Sequence, residues 1–159
     1  MKKLSVSLAS ILFLALFMSM PALAQEEEEI DQAPAAAFRY FWETVNNGQY
    51  AQSWAMLSSG SQQNFVSNIY NSYRNQKIRS RSSFSSEESC RSLMSEGTHE
   101  MVRNIWQGVN SSFNGPAFLN SRIMTVKNDG QRALVVSDCS QRGYLMIKEN
   151  GRWLIDFMH

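Results

Sequence analysis

The sequence predicts an α+β fold, with N-terminal helices packed on a mainly four-stranded antiparallel sheet. Three observations carry this. Between residues 38 and 109 the apolar side chains recur at spacings of three and four, the period of a helix with one buried face. Beyond Gly115-Pro116 they alternate, which is the period of a strand. Two turn signals, Asn128-Asp129-Gly130 and Asn150-Gly151, divide that second stretch. The latter suits a two-residue hairpin, because both residues tolerate positive φ. Helices followed by a meander of strands is the order of an α+β domain.

Each element has its own signal. Pro34 fits the first turn of a helix, where its missing N–H is not needed. Phe38, Phe41, Trp42 and Val45 mark the inner face of that helix, and Asn47-Gly48 stops it. Tyr50, Trp54 and Leu57 repeat the spacing in a shorter helix that Gly60 ends. Ser61 is placed to cap a third, with Phe65, Ile69 and Tyr73 inward. Eight of the sixteen residues from 80 to 95 are serine, so this stretch reads as a loop until Ser85 and Glu88 set a capping box. The helix that follows carries Cys90, Leu93 and Met94, and Gly97 interrupts it. Thr98 is placed to cap the next, whose stripe is Met101, Val102, Ile105, Trp106 and Val109. Gly115-Pro116 ends the helical half, and strands are expected over 121–127, 132–139, 144–149 and 153–158.

The chain has 159 residues, and the first 24 read as an export signal. Met1-Lys2-Lys3 is positive, an apolar run follows, and Ala22-Leu23-Ala24 offers the small residues a signal peptidase needs. That run is too short to favour a permanent span, and residue 25 is Gln rather than the Cys of a lipoprotein. Cleavage leaves 135 residues, with 13 Lys and Arg against 14 Asp and Glu. This is the size of one domain, over 33–159, behind an acidic leader over 25–32 that contains Glu26, Glu27, Glu28 and Glu29. The near-neutral balance argues against a nucleic-acid partner. The expectation is an exported, soluble protein of the periplasm or exterior, with no stable membrane insertion once the signal is removed.

Chemistry-bearing motifs are sparse. Cys90 and Cys139 are the only cysteines, and export would place them where disulfides persist. A structural bridge between them is expected, stabilising the fold by roughly 4 kcal/mol. Neither has a His at zinc-ligand spacing. There is no Gly-rich phosphate loop, HExxH or nucleophile elbow. No catalytic residue, metal or cofactor is therefore assigned. Methionine and the terminal Met158-His159 suit copper by type, yet read as core or strand-end residues. Arg74, Lys77, Arg79, Arg81 and Arg91 form a basic cluster among serines that reads as a solvated face. Asn110-Ser111-Ser112 fits a glycosylation sequon, at an expected helix end.

Alternation sorts the strands into two faces. One carries Ala133, Val135, Tyr144, Met146, Trp153, Ile155 and Phe157; the other carries Leu134, Val136, Leu145, Ile147 and Leu154. A sheet with one wet face should alternate apolar with polar, and this one is apolar on both sides. Helices can cover one face. The second needs a subunit, a ligand or another segment, and a symmetric dimer is the simplest cover.

Two stretches resemble nuclear-transport-factor-2-like domains. The first is Ala37-Phe38-Arg39-Tyr40-Phe41-Trp42 followed by Asn47-Gly48-Gln49-Tyr50-Ala51-Gln52-Ser53-Trp54 and Leu57-Ser58. The second is the closing Lys148-Glu149-Asn150-Gly151-Arg152-Trp153-Leu154-Ile155-Asp156-Phe157, similar to the last hairpin of that superfamily. Together they cover about half the mature chain, and the likeness is greatest to small exported bacterial members. The resemblance implies a curved sheet wrapping helices into a cone around a pocket, often in a dimer. It does not imply one activity, because that scaffold hosts enzymes, binding modules and assembly domains.

Enzymes of the superfamily place an acid or His base inside the cone, and the candidates here are Asp138, Asp156 and His99. By alternation Asp156 faces away from the helix-covered side; Asp138 sits at a strand end, and His99 falls in a solvated first helical turn. In an open cone the pocket would be lined by Phe38, Phe41, Trp42, Tyr50, Trp54, Phe65, Trp106, Tyr144, Met146, Trp153 and Ile155, with tyrosine hydroxyls and indole N–H groups orienting a small apolar or amphipathic ligand. The expected function is a non-catalytic binding or accessory role. The alternatives are a small isomerase, dehydratase or cyclase, and an assembly module that works through the outer sheet face.

Overall fold

The computed structural model describes residues 33–157 apart from 76–84. The expected export signal and acidic leader, together with Lys77, Arg79, Arg81, Met158 and His159, lie outside the described residues.

Helix α1, Pro34–Asn46, has Pro34 in its first turn and buries Phe38, Phe41, Trp42 and Val45, as their spacing requires. Helix α2 is shorter than the apolar spacing suggests, Tyr50–Ala55. Leu57 leaves the helical path and bridges in parallel to Ile155. Ser58 N donates to Ile155 O at 2.8 Å, and Ile155 N donates to Met56 O at 2.9 Å. The last strand would otherwise expose a row of unpaired backbone groups, and residues 56–58 satisfy part of it. Gly60 then lies inside α3, Ser59–Asn75, instead of ending a helix. Ser58 is the cap in place of Ser61: its Oγ accepts from Ser61 N at 3.1 Å.

Helix α4, Glu87–Glu96, starts one residue later than expected, at a capping box made by Ser86 and Ser89. Gly97, in the left-handed region at φ 72°, closes it. Helix α5, Glu100–Phe113, is capped by His99, not Thr98; the His99 Nδ1 accepts from Met101 N at 3.2 Å. Gly115-Pro116 opens a further short helix, α6, Gly115–Leu119, so the helical half runs a turn longer than its punctuation implies.

Four strands follow, β1 Ile123–Asn128, β2 Arg132–Ser137, β3 Ser140–Glu149 and β4 Arg152–Asp156. They form one antiparallel sheet in the order β1-β2-β3-β4, not closed into a barrel. Val126 bulges out of the β1–β2 register. Asn150 and Gly151 turn the last hairpin at φ 52° and 84°, the positive values their identities favour. In the first hairpin Asp129 Oδ1 accepts from Arg132 N at 2.6 Å and Gln131 N at 2.9 Å, and these bonds hold its carboxyl below the usual range.

The inner face, Ala133, Val135, Tyr144, Met146, Trp153 and Ile155, meets α1 in one buried cluster that contains both Trp42 and Trp153. Each large apolar side chain buried there contributes about 1.5–3 kcal/mol. Phe157, on the same face, is half-buried against the cluster.

The expected disulfide is not formed: Cys90 and Cys139 are both free thiols. Cys90 is fully buried on α4, which packs against α2 and α3. Cys139 is exposed in the turn between β2 and β3, where its Sγ lies 3.1 Å from Ser137 Oγ. A bridge needs Cβ atoms roughly 4 Å apart, and these two belong to different layers.

Two glycines of α4 and α5 predict opposite responses to alanine. A Cβ on Gly97 would run into the backbone of Ala51, and its φ is strained for any other residue. Gly108 is exposed in mid-helix with open space around it. In urea melts, Gly97→Ala should destabilise by about 2–3 kcal/mol, while Gly108→Ala should stabilise by about 0.5–1 kcal/mol.

Candidate functional site

The eleven side chains expected around a pocket are drawn together by the fold, and they pack on one another. Phe38, Phe41, Trp42, Trp54, Trp106, Tyr144, Met146, Trp153 and Ile155 are buried, with Tyr50 and Phe65 half-buried beside them. Phe38 lies 4.7 Å from Tyr144 and 5.3 Å from Phe118, ring centre to ring centre. Trp42 stacks on Phe118 at 4.9 Å, and Phe65 stacks on Trp106 at 5.9 Å. These are the separations of directly packed aromatic rings. Two donors are nevertheless unsatisfied among the described residues. Trp42 Nε1 and Trp106 Nε1 are buried without an acceptor, each at a cost of about 1–3 kcal/mol.

The three titratable candidates hold local structure in separate places. Asp156 sits across from Leu145, on the face that alternation assigns it, yet it is buried and not wet. The first turn of α3 closes over it. Its Oδ1 accepts from Ser58 Oγ at 2.9 Å and Ser61 Oγ at 2.8 Å, and Ser61 Oγ accepts from Phe157 N at 2.7 Å. Glu149 joins the same helix start, accepting from Ser59 N at 3.2 Å and Ser59 Oγ at 3.0 Å. Two carboxylates thus meet the positive end of α3. Asp138, exposed at the end of β2, accepts from Arg122 N at 3.1 Å. His99 is the α5 cap already described. Of these, Asp156, with Glu149, fastens helix to sheet. The Ser58-x-x-Ser61 spacing was the signal available for it, since serines at the cap and three residues on share one helix start.

The outer sheet face is the other candidate. Leu134 lies opposite Leu145, Met124 opposite Val136, and Ile147 opposite Leu154. Leu134, Val136, Leu145 and Ile147 are half-buried, and Leu154 is closed in at 9% exposure. Helix α1 packs on the inner face, and α3 reaches the sheet at its β4 edge. The exposed large apolar residues among those described, Met124 and Val126, both lie on β1.

Between β1, β2 and β3 runs an open groove of about 470 Å³ lined by Lys127, Arg132, Leu134 and Leu145, with Asn128 and Asp129 at one end. Sequence reasoning found Leu134 and Leu145 but missed Met124, Lys127 and Arg132. The parity of Lys127 is readable only once the bulge at Val126 is known. A second groove of about 320 Å³, between α1 and β1, is lined by Arg39, Tyr40, Glu43 and Ile123. There the Arg39 guanidinium already donates to Leu119 O and Ser121 O, both at 2.9 Å.

Among the described residues, no three His, Cys, Asp or Glu side chains gather as a metal site would require. No described helix is long and apolar enough to cross a membrane.

Removing the Asp156 carboxylate would strand two buried hydroxyls. Asp156→Ala should destabilise by about 2–4 kcal/mol, and a double-mutant cycle with Ser61→Ala should show coupling above about 0.5 kcal/mol. Burial, reinforced by Glu87, pushes the Cys90 thiol up to about 11 from 9.0. The folded state therefore favours the protonated thiol. Its stabilising share is complete below the unfolded value and is lost as pH rises from about 9 to 11. Unfolding free energy should fall across that window in the native protein and less so in Cys90→Ala, while a thiol reagent at neutral pH should label Cys139 alone. Comparison of the chain with protein families, curated proteins and solved structures found no match.

Proposed function

We propose that this chain is an exported, non-catalytic interaction module and that the outer face of its sheet is the working surface. One observation carries the reading: Leu134, Val136, Leu145 and Ile147 form a half-buried apolar face beside the exposed Met124, while the aromatic side chains inside pack against each other. Contiguous apolar surface of this kind is stabilised by a partner that covers it. The resemblance to nuclear-transport-factor-2-like domains agrees with the order of helices and meander, and that scaffold includes assembly domains. The partner is a second copy of the chain or another protein.

A second reading is an internal small ligand. It draws on the two buried indole N–H groups of Trp42 and Trp106, which such a ligand would satisfy.

Native mass spectrometry of protein purified from its own cells tests both. The outer-face reading expects a complex with a second chain, and expects Leu134→Glu/Leu145→Glu to run alone while still unfolding cooperatively. An added mass of roughly a few hundred daltons, retained by that variant, supports the internal ligand. A single chain with no added mass overturns both.

A further inference from the structure

We propose that the groove on the outer face takes an acidic segment of a protein partner, its carboxylates pairing with Lys127 and Arg132 and its apolar side chains resting on Leu134 and Leu145. The proposal rests on the reading of that face as the working surface.

The argument is one of charge complementarity. Lys127 and Arg132 are exposed and line the groove; Lys127, Leu134 and Leu145 lie in one cross-strand row, and Arg132 lies in the next row, opposite Ile147. Among the described residues the Lys127 ammonium has neither a hydrogen bond nor an ion pair. The nearby acids are already engaged. Asp129, the one acid lining the groove, turns its Oδ1 toward Gln131 N and Arg132 N. Glu149 is bonded to Ser59, and Asp156 is bonded to Ser58 and Ser61. Asp129 also attracts the Arg132 guanidinium, so the groove keeps a net charge of +1 beside its apolar strip, with the Lys127 ammonium as its free cation among the described residues.

A second copy seated groove to groove would bring the same net positive charge to the same strip. Nucleic acid would cover Leu134 and Leu145 with polar backbone and leave them without apolar contact. An extended acidic segment meets both demands. Its alternate side chains fall on one side about 7 Å apart, so a carboxylate and an apolar group can face the groove in turn.

The probe is a synthetic peptide of about eight residues with several glutamates and two leucines, compared with the same peptide carrying lysine for glutamate. Binding is read by calorimetry and by the methyl resonances of Leu134 and Leu145. The acidic peptide should shift those methyls. Its affinity should fall at least about tenfold in Lys127→Glu/Arg132→Glu. It should also weaken between about 0.1 M and 1 M salt, where the screening length shortens from about 10 Å to 3 Å. Both substituted positions are exposed, so the variant should keep the melting curve of the parent.

Equal binding of the lysine peptide overturns the proposal, as does the same methyl shift on phosphatidylglycerol vesicles. A concentration-dependent dimer that protects these methyls overturns the acidic partner but keeps the outer face as the working surface. No response to either peptide, to vesicles or to concentration overturns both.

Discussion

The aromatic ridge of α1 is the constraint from which the rest of this structure follows. Phe38, Phe41 and Trp42 are fully buried, and they engage the sheet through Tyr144 and the helical layer through Phe118 and Trp106. One helix therefore serves two interfaces. Having committed its apolar surface to the inner face of the sheet, the chain leaves the outer face to whatever lies beyond it. A four-stranded sheet with apolar residues on both sides is a two-sided object. The described helices cover the inner side, and the start of α3 covers the outer one only at Asp156, on the β4 edge.

The second organising feature is the seam along β4. An open sheet has two edges, and this protein treats them differently. The β4 edge is paired by residues 56–58 and sealed by α3, whose first turn binds Asp156 and Glu149. The β1 edge instead carries a bulge at Val126 and the charge of Lys127, both of which discourage strand-on-strand pairing. That asymmetry places the open groove at the β1–β2 end and buries the carboxylate at the other. Asp156 is the most enclosed acid described, and its surroundings are hydroxyl donors that hold it as a fastening.

Much of the fold was legible because its elements are strongly periodic. The stripe of α1 and the Asn150-Gly151 hairpin follow from local chemistry that tertiary contacts did not override. The misread positions share a cause. Leu57 continues a helical spacing but was recruited to satisfy a strand 98 places later, at Ile155, and no local pattern reports that need. Ser58, Ser86 and His99 displaced neighbouring caps, because several side chains in each stretch can accept a backbone N–H and packing chooses among them. The disulfide inference failed for a related reason. It used compartment and count, whereas bridging depends on two side chains sharing one layer.

By itself the sequence determined the α+β order, the two apolar faces of the strands and the aromatic identity of the interior, since hydrophobic period and turn residues act over a few positions. Tertiary structure alone decided that Asp156 is buried by α3, that Cys90 and Cys139 remain apart, and that Lys127 and Arg132 share a groove with Leu134 and Leu145. Those outcomes depend on which surfaces meet across the chain, and on a one-residue bulge that resets the parity of a strand.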